Sequence, residues 1–168
     1  MSQLPKVTIY TDGGCIKNPG PGGYGVVLLH KTHRRELSAG FRRTTNNRME
    51  LKATIAGLQA LTTRCRVTIR TDSRYLCDAM TKKWVYGWKS RGWIKSDKTK
   101  ALNVDLWERL VLLCERHEVK FVWIKGHAGN LDNECCDRLA DASARQEELA
   151  IDIGYERKPA SSQKEIWA

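Results

Sequence analysis

The spacing of hydrophobic and polar positions changes several times along the chain. Val7-Thr8-Ile9-Tyr10 is β-branched and aromatic, and Gly25–His30 and Arg35–Arg43 read as two further strands. The stretch Gly13–Gly25 between them, glycine-rich and carrying Pro19 and Pro21, reads as a turn region. Short connections make the three strands an antiparallel meander. From Thr45 the period becomes helical: Leu51, Ile55, Leu58 and Leu61, with Thr45, Asn46 or Asn47 available as N-cap, predict a helix of about four turns. Arg66–Arg70 is strand-like again, and Asp72 or Ser73 can cap a second helix. Val104, Trp107, Val111 and Cys114 put a helix over Asn103–His117, Val119–Ile124 predicts a last strand, and Asn130–Glu148 a last helix. Gly154–Ala168 is polar, shows no period and reads as a mobile tail. Strand and helix alternating after an antiparallel start predict an α/β fold with a mixed sheet and helices on its faces.

Composition narrows the classes. A chain of 168 residues that is 41% hydrophobic suits one domain with one core. The balance of 29 Lys and Arg against 19 Asp and Glu, net +10, favours a polyanionic partner or an anionic membrane surface. The excess lies in Met1–Leu131, which holds 24 basic and 10 acidic residues. The longest aliphatic run, Val26–Leu29, is far too short to span a bilayer, and no positive stretch followed by an apolar one opens the chain, so a cytoplasmic location is expected. The six cysteines form no C-x-x-C pair and read as reduced packing residues.

Four acids fall at suggestive places: Asp12 ends the first strand, Glu50 lies in the first turn of the first helix, Asp72 ends the RVTIRT strand, and Asp137 sits in the last helix. Each alone has an ordinary explanation as a turn residue, a capping-box acid, an N-cap or an exposed helical acid. Adjacent strand ends with a helix start above them would bring the carboxylates together. Such a cluster repels itself and is worthwhile only around a hard cation, and Mg²⁺ keeps positions for water and substrate phosphates. Carboxylates beside a basic surface suggest metal-assisted phosphodiester chemistry. Signatures of zinc proteases, P-loop enzymes and serine hydrolases are missing. His127, in the loop Gly126-His127-Ala128-Gly129 just before the Asp137 helix, is placed to move protons. Lys82–Lys100 carries seven basic residues and one acid around Trp84, Trp88 and Trp93. As an amphipathic surface helix it would pack its Trp side chains inward; as a positive protrusion with interleaved aromatics it suits a nucleic-acid backbone.

The motifs TDGG (Thr11–Gly14), NPGPGGYG (Asn18–Gly25), TTNNRMEL (Thr44–Leu51), TDS (Thr71–Ser73), NVDLW (Asn103–Trp107), KGHAG (Lys125–Gly129) and NECCDRLAD (Asn133–Asp141) occur in this order. Together they resemble type 1 ribonuclease H of the bacterial kind, over roughly Lys6–Tyr155. The resemblance implies a catalytic domain over residues 1–155 with a basic protrusion at 82–100, a tail at 156–168, and a central five-stranded mixed sheet, three antiparallel strands followed by parallel ones. It implies a monomeric endoribonuclease that hydrolyses the RNA strand of RNA–DNA hybrids to 5′-phosphate and 3′-hydroxyl ends. Asp12, Glu50, Asp72 and Asp137 match the family's metal-binding carboxylates, which would hold two Mg²⁺ ions with substrate, Mn²⁺ being an alternative, and His127 matches its loop histidine. Cys15, Asn18, Asn46, Asn47 and Ser73 fall at positions implied to approach the minor groove, and Arg74, next to Ser73, is counted among the nucleic-acid contacts. Arg43, Thr45 and Asn103 match a pocket for a DNA-strand phosphate. Trp84, Trp88, Lys89, Arg91, Trp93 and Lys95 belong to the stretch that resembles a hybrid-binding handle.

Lys17 and Arg74 depart from the family pattern, where Gly and Gln are frequent. Arg74 would strengthen phosphate contact while loosening contacts to base or sugar. A non-catalytic hybrid-binding module would be marked by the loss of one acid, and none is lost. A junction resolvase or integrase core would not be expected to share the handle, NPGPGGYG and GHAG.

Overall fold

The computed structural model of the protein describes residues 3–157. Strands β1 (Lys6–Cys15), β2 (Gly20–His30) and β3 (His33–Thr44) form the meander. Helix α1 (Asn46–Gln59) leads to β4 (Arg66–Thr71), α2 (Arg74–Thr81) and α3 (Trp84–Ser90). Then come α4 (Val104–Arg116), β5 (Glu118–Trp123), α5 (Leu131–Ala144) and the short α6 (Ile153–Glu156). The five strands stand in the order β3-β2-β1-β4-β5. Pairing is antiparallel from β3 to β1 and parallel from β1 through β4 to β5. The mixed sheet expected from the sequence is therefore the one observed.

The core is built from Ile9, Val26, Leu51, Leu58, Ile69 and Trp107, all buried. A Cβ on Gly57 of α1 would meet Ile9 and Val26, so α1 rests on that face of the sheet. Gly25 neighbours Val26 and points the other way, as successive strand residues must. There α5 lies so close that a Cβ on Gly23, Gly25 or Gly40 would collide with the α5 backbone at Ala140, Cys136 or Ser143. This close approach explains the main departure from the sequence expectation. Most of Gly13–Gly25 is strand, leaving only Ile16–Pro19 as the connection, because those glycines serve a helix laid on the sheet rather than a turn. Gly25→Ala is expected to destabilise the protein by about 1–3 kcal/mol in urea unfolding, the usual cost of overpacking. Gly14→Ala, whose Cβ would find its nearest neighbour 3.8 Å away at Asn46, should cost far less.

Other boundaries shift for local reasons. Ser73 caps α2 by accepting the Leu76 N–H at 3.1 Å, and Thr45 caps α1 by accepting that of Arg48 at 3.3 Å. Lys82–Lys100 is not one helix: Lys83, Gly92 and Trp93 adopt positive φ, confining α3 to seven residues. Helix α5 stops at Ala144, short of the Glu148 end expected. Ile153–Glu156 forms a helical turn where the sequence shows no period, and Glu156 pairs with Arg42 at 3.0 Å. Residues 158–168, the rest of the expected tail, lie outside the described residues. All six cysteines are free thiols. Among the described residues no helix is long and apolar enough to cross a membrane.

Candidate active site and nucleic-acid face

Register brings the first two acids together. Thr11 of β1 is paired with Thr71 of β4, so Asp12 and Asp72, one residue further along parallel neighbours, emerge side by side. Gly13 completes the cluster. A Cβ there would collide with the backbone of Met49 and Glu50, and its lack lets the first turn of α1 settle on the end of β1. Glu50 consequently points at Asp12 instead of closing a capping box. Asp12, Glu50 and Asp72 each offer a carboxylate oxygen within 4.8 Å of the others. Asp137, from α5, lines the same cleft of about 400 Å³ and adds negative charge against Asp12 and Asp72, but stands outside that close trio.

The trio is held against its own electrostatics. Burial, and then the charge of Asp72, push the Asp12 carboxyl up to about 7. Burial and the charges of Asp12 and Asp72 lift Glu50 well above the usual carboxylate range. Burial also raises Asp72, opposed by the Asn133 amide and by His127. Oε2 of Glu50 is buried without a hydrogen-bond partner, an oxygen left unsatisfied inside a group of like charges. A hard divalent cation is the ligand that would satisfy both the lone pairs and the charge, so this donor set fits Mg²⁺.

His127 is exposed at the mouth of the cleft on the loop between β5 and α5, with φ of 55°, a conformation that costs strain for a residue with a Cβ. Gly126 lies against Asp72, where a Cβ would come within 2.6 Å of its Oδ2. Asn133 is a site residue that sequence reasoning does not single out. It is buried one helical turn before Asp137 and presents its amide to Asp72 without completing a hydrogen bond. The signal that could have found it is its i, i+4 spacing to Asp137 within NECCDRLAD.

Arg48 is another. Buried at the start of α1, its guanidinium donates to Asp152 at 2.8 Å and to Asp105 at 2.7 Å, while the Thr44 hydroxyl donates to Asp152 at 2.7 Å. Burial alone would raise the Asp152 carboxyl, but Arg48 and Thr44 outweigh it and hold it below the ordinary value. Arg48 reaches two of the expected phosphate-pocket residues: Thr45 through its backbone N–H and Asn103, at 3.4 Å, through its side chain. Arg43 is exposed nearby in sequence. Asn46, Cys15 and Asn18 are linked as well. The Asn46 side-chain oxygen accepts the Cys15 N–H at 2.8 Å, and that of Asn18 accepts the Asn46 N–H at 3.1 Å. Asn47 is exposed and Ser73 half-buried.

In the basic stretch the tryptophans divide. Trp84 is exposed, with the Lys82 ammonium 5.4 Å from its ring centre. Trp88 is buried edge-on against Trp107 at 6.0 Å, and Trp93 packs half-buried on the core. Trp88, counted from the resemblance among the nucleic-acid contacts, is thus placed with its ring in the packing. Lys89 and Arg91 are exposed and Lys95 half-buried.

The family model described as RNase H matches residues 5–145. The chain is 58% identical to a ribonuclease H of Desulforamulus reducens, covering 90% of this chain and 96% of that one. It is 59% identical to a ribonuclease H of Rippkaea orientalis, over 94% and 98%. Among solved structures it resembles LC9-RNase H1, a type 1 RNase H with the type 2 active-site motif, with a TM-score of 0.76 and 36% identity, covering 86% of this chain and 74% of that one. It also resembles LC11-RNase H1, solved in complex with an RNA/DNA hybrid, with a TM-score of 0.64 and 26% identity over 82% and 96%.

Proposed function

The chain belongs to the ribonuclease H family as a type 1 enzyme, an endoribonuclease acting on RNA–DNA hybrids, and we propose that it cuts the RNA strand by two-metal catalysis at the Asp12, Glu50, Asp72 and Asp137 carboxylates. The observation that carries this reading is the trio of mutually repelling carboxylates, all within 4.8 Å, gathered where the parallel pairing of β1 and β4 ends. Bound there, Mg²⁺ ions would activate the attacking water and stabilise the leaving 3′-oxygen, giving 5′-phosphate and 3′-hydroxyl ends. Asp12, Glu50 and Asp72 hold that charge in place from three separate elements, and Asp137 adds a carboxylate from a fourth. His127, exposed on its strained turn, takes up or delivers a proton as the product departs.

The surrounding residues account for the choice of hybrid. The side-chain oxygens of Asn18 and Asn46 are occupied internally, so their amide N–H groups are the donors offered to a 2′-hydroxyl. Cys15, Asn47 and Ser73 complete that minor-groove edge. Arg43, Thr45 and Asn103 form a phosphate grip for the DNA strand, two of them fixed by Arg48. Trp84, Trp93, Lys89, Arg91 and Lys95 form the handle, with Trp84 as its exposed aromatic.

The decisive experiment is Mg²⁺-dependent cleavage of an end-labelled hybrid beside RNA–RNA and DNA–DNA duplexes. Only the RNA of the hybrid should be cut, with 5′-phosphate products; equal cutting of all three duplexes would overturn the assignment. Replacing Lys89, Arg91 and Lys95 together by Ala should raise KM for the hybrid more than it lowers kcat. It should also flatten the salt dependence by about one unit of slope for each phosphate the protein no longer neutralises. An unchanged slope would make this segment a merely solvated surface.

A further inference from the structure

Arg74 and Trp123 form a unit beside the carboxylates. Because Thr71 is in register with Trp123, the indole lies on the strand end next to Asp72. Its Nε1–H donates to the Asp72 backbone carbonyl at 3.1 Å, which anchors the ring. The Arg74 guanidinium carbon lies over the ring, 3.9 Å from its centroid, in cation–π contact. Trp123 is half-exposed and Arg74 exposed, so the stack faces solvent.

The stack is informative because of what Arg74 forgoes. A guanidinium two residues from Asp72 would gain by closing on that carboxylate, and among the described residues Arg74 makes no ion pair or hydrogen bond through its side chain. Held on the indole, it leaves the carboxylate free for a cation and keeps its own N–H fork unspent. Stacking also removes the rotamer freedom that a long side chain otherwise loses on binding. A fully charged planar fork, immobilised and unpaired beside a phosphodiester-cleaving cleft, is matched to phosphate oxygens.

We propose that Arg74 is a phosphate-binding residue for the hybrid beside the cleft, and that Trp123 is the positioning residue that holds it there and off Asp72. This rests on the cleft being the hybrid-cleavage site.

The test is binding of a fluorescein-labelled RNA–DNA hybrid in EDTA, followed by anisotropy across a series of salt concentrations. Arg74→Gln should weaken binding roughly tenfold, the scale of one charge-assisted hydrogen bond, and reduce the salt slope by about one unit. Arg74→Lys should keep the slope. Trp123→Leu should approach the Arg74→Gln affinity, and the double variant should be no weaker than Arg74→Gln alone. Trp123→Phe preserves an aromatic face and serves if the Leu variant fails to fold; it should fall between wild type and Trp123→Leu and have no effect once residue 74 is Gln. Wild-type affinity and slope in Arg74→Gln, or an equal Trp123→Phe penalty in both backgrounds, overturns the proposal. Failure of the wild-type protein to bind the hybrid would instead remove the reading on which it rests.

Discussion

Asp12→Asn is expected to lower hybrid cleavage by at least about a thousandfold, to leave hybrid binding largely intact, and to make the metal-free protein more stable. The three effects share one cause. Asp12 carries a carboxylate that burial and Asp72 push up to about 7, so at neutral pH its ionised form is held at a cost. Asn keeps the shape, including an oxygen to accept the Gly13 N–H that Asp12 accepts at 2.9 Å, but removes the charge. Cation binding is weakened, while the basic surface that meets the hybrid is untouched. The sign of the stability change follows from linkage. An acid with a raised folded pKa retains its proton in the folded state after the unfolded chain has lost it, so its presence destabilises increasingly as pH rises from about 4 to about 7. Urea unfolding in EDTA should therefore show a gain of roughly 1–3 kcal/mol for Asp12→Asn at pH 8 and little gain at pH 4. Equal gains at both pH values, or wild-type cleavage at saturating Mg²⁺, would contradict the assignment of Asp12.

His127→Ala should reduce kcat by roughly tenfold to a thousandfold without eliminating activity, the range typical of losing one general acid or base. His127 lines the cleft beside Asp72 but comes from a loop, whereas the carboxylates come from strand ends and helices. Its loss removes proton handling and leaves the charge that organises the reaction. Because its backbone sits at φ 55°, His127→Gly should relieve strain and be at least as stable as His127→Ala while being equally impaired. Steady-state kinetics from about pH 6 to 9 reads out the role. An unchanged kcat throughout would reduce His127 to a structural residue, and complete loss would make it a cation ligand.

The period changes along the chain disclose the sheet, the main helices and the order of the four acids, because these depend on local alternation and capping. Two kinds of information are not local. Gly13, Gly23 and Gly25 fall in a stretch that reads as a turn, and Gly40 in one that reads as plain strand, yet what they accommodate is the backbone of helices distant along the chain. Arg48 and Asp152 look like solvated charges 104 positions apart, and only the closed fold pairs them out of water. Asn133 lies inside the NECCDRLAD motif but is overshadowed by the acid four residues on. Trp88 and Trp84 share the same basic segment, and nothing in their spacing says which of them turns inward against Trp107.

The Arg48 cluster also bears on how this enzyme comes into being. Glu50 rides on the helix whose first turn carries Arg48, and Asp152, which accepts two hydrogen bonds from that guanidinium, is among the last residues of the described fold to be translated. On the ribosome the early helix is made long before its buried counter-charge exists. A nascent chain short of residue 152 therefore lacks the counter-charge that Arg48 meets in the finished fold, on the same helix that carries Glu50.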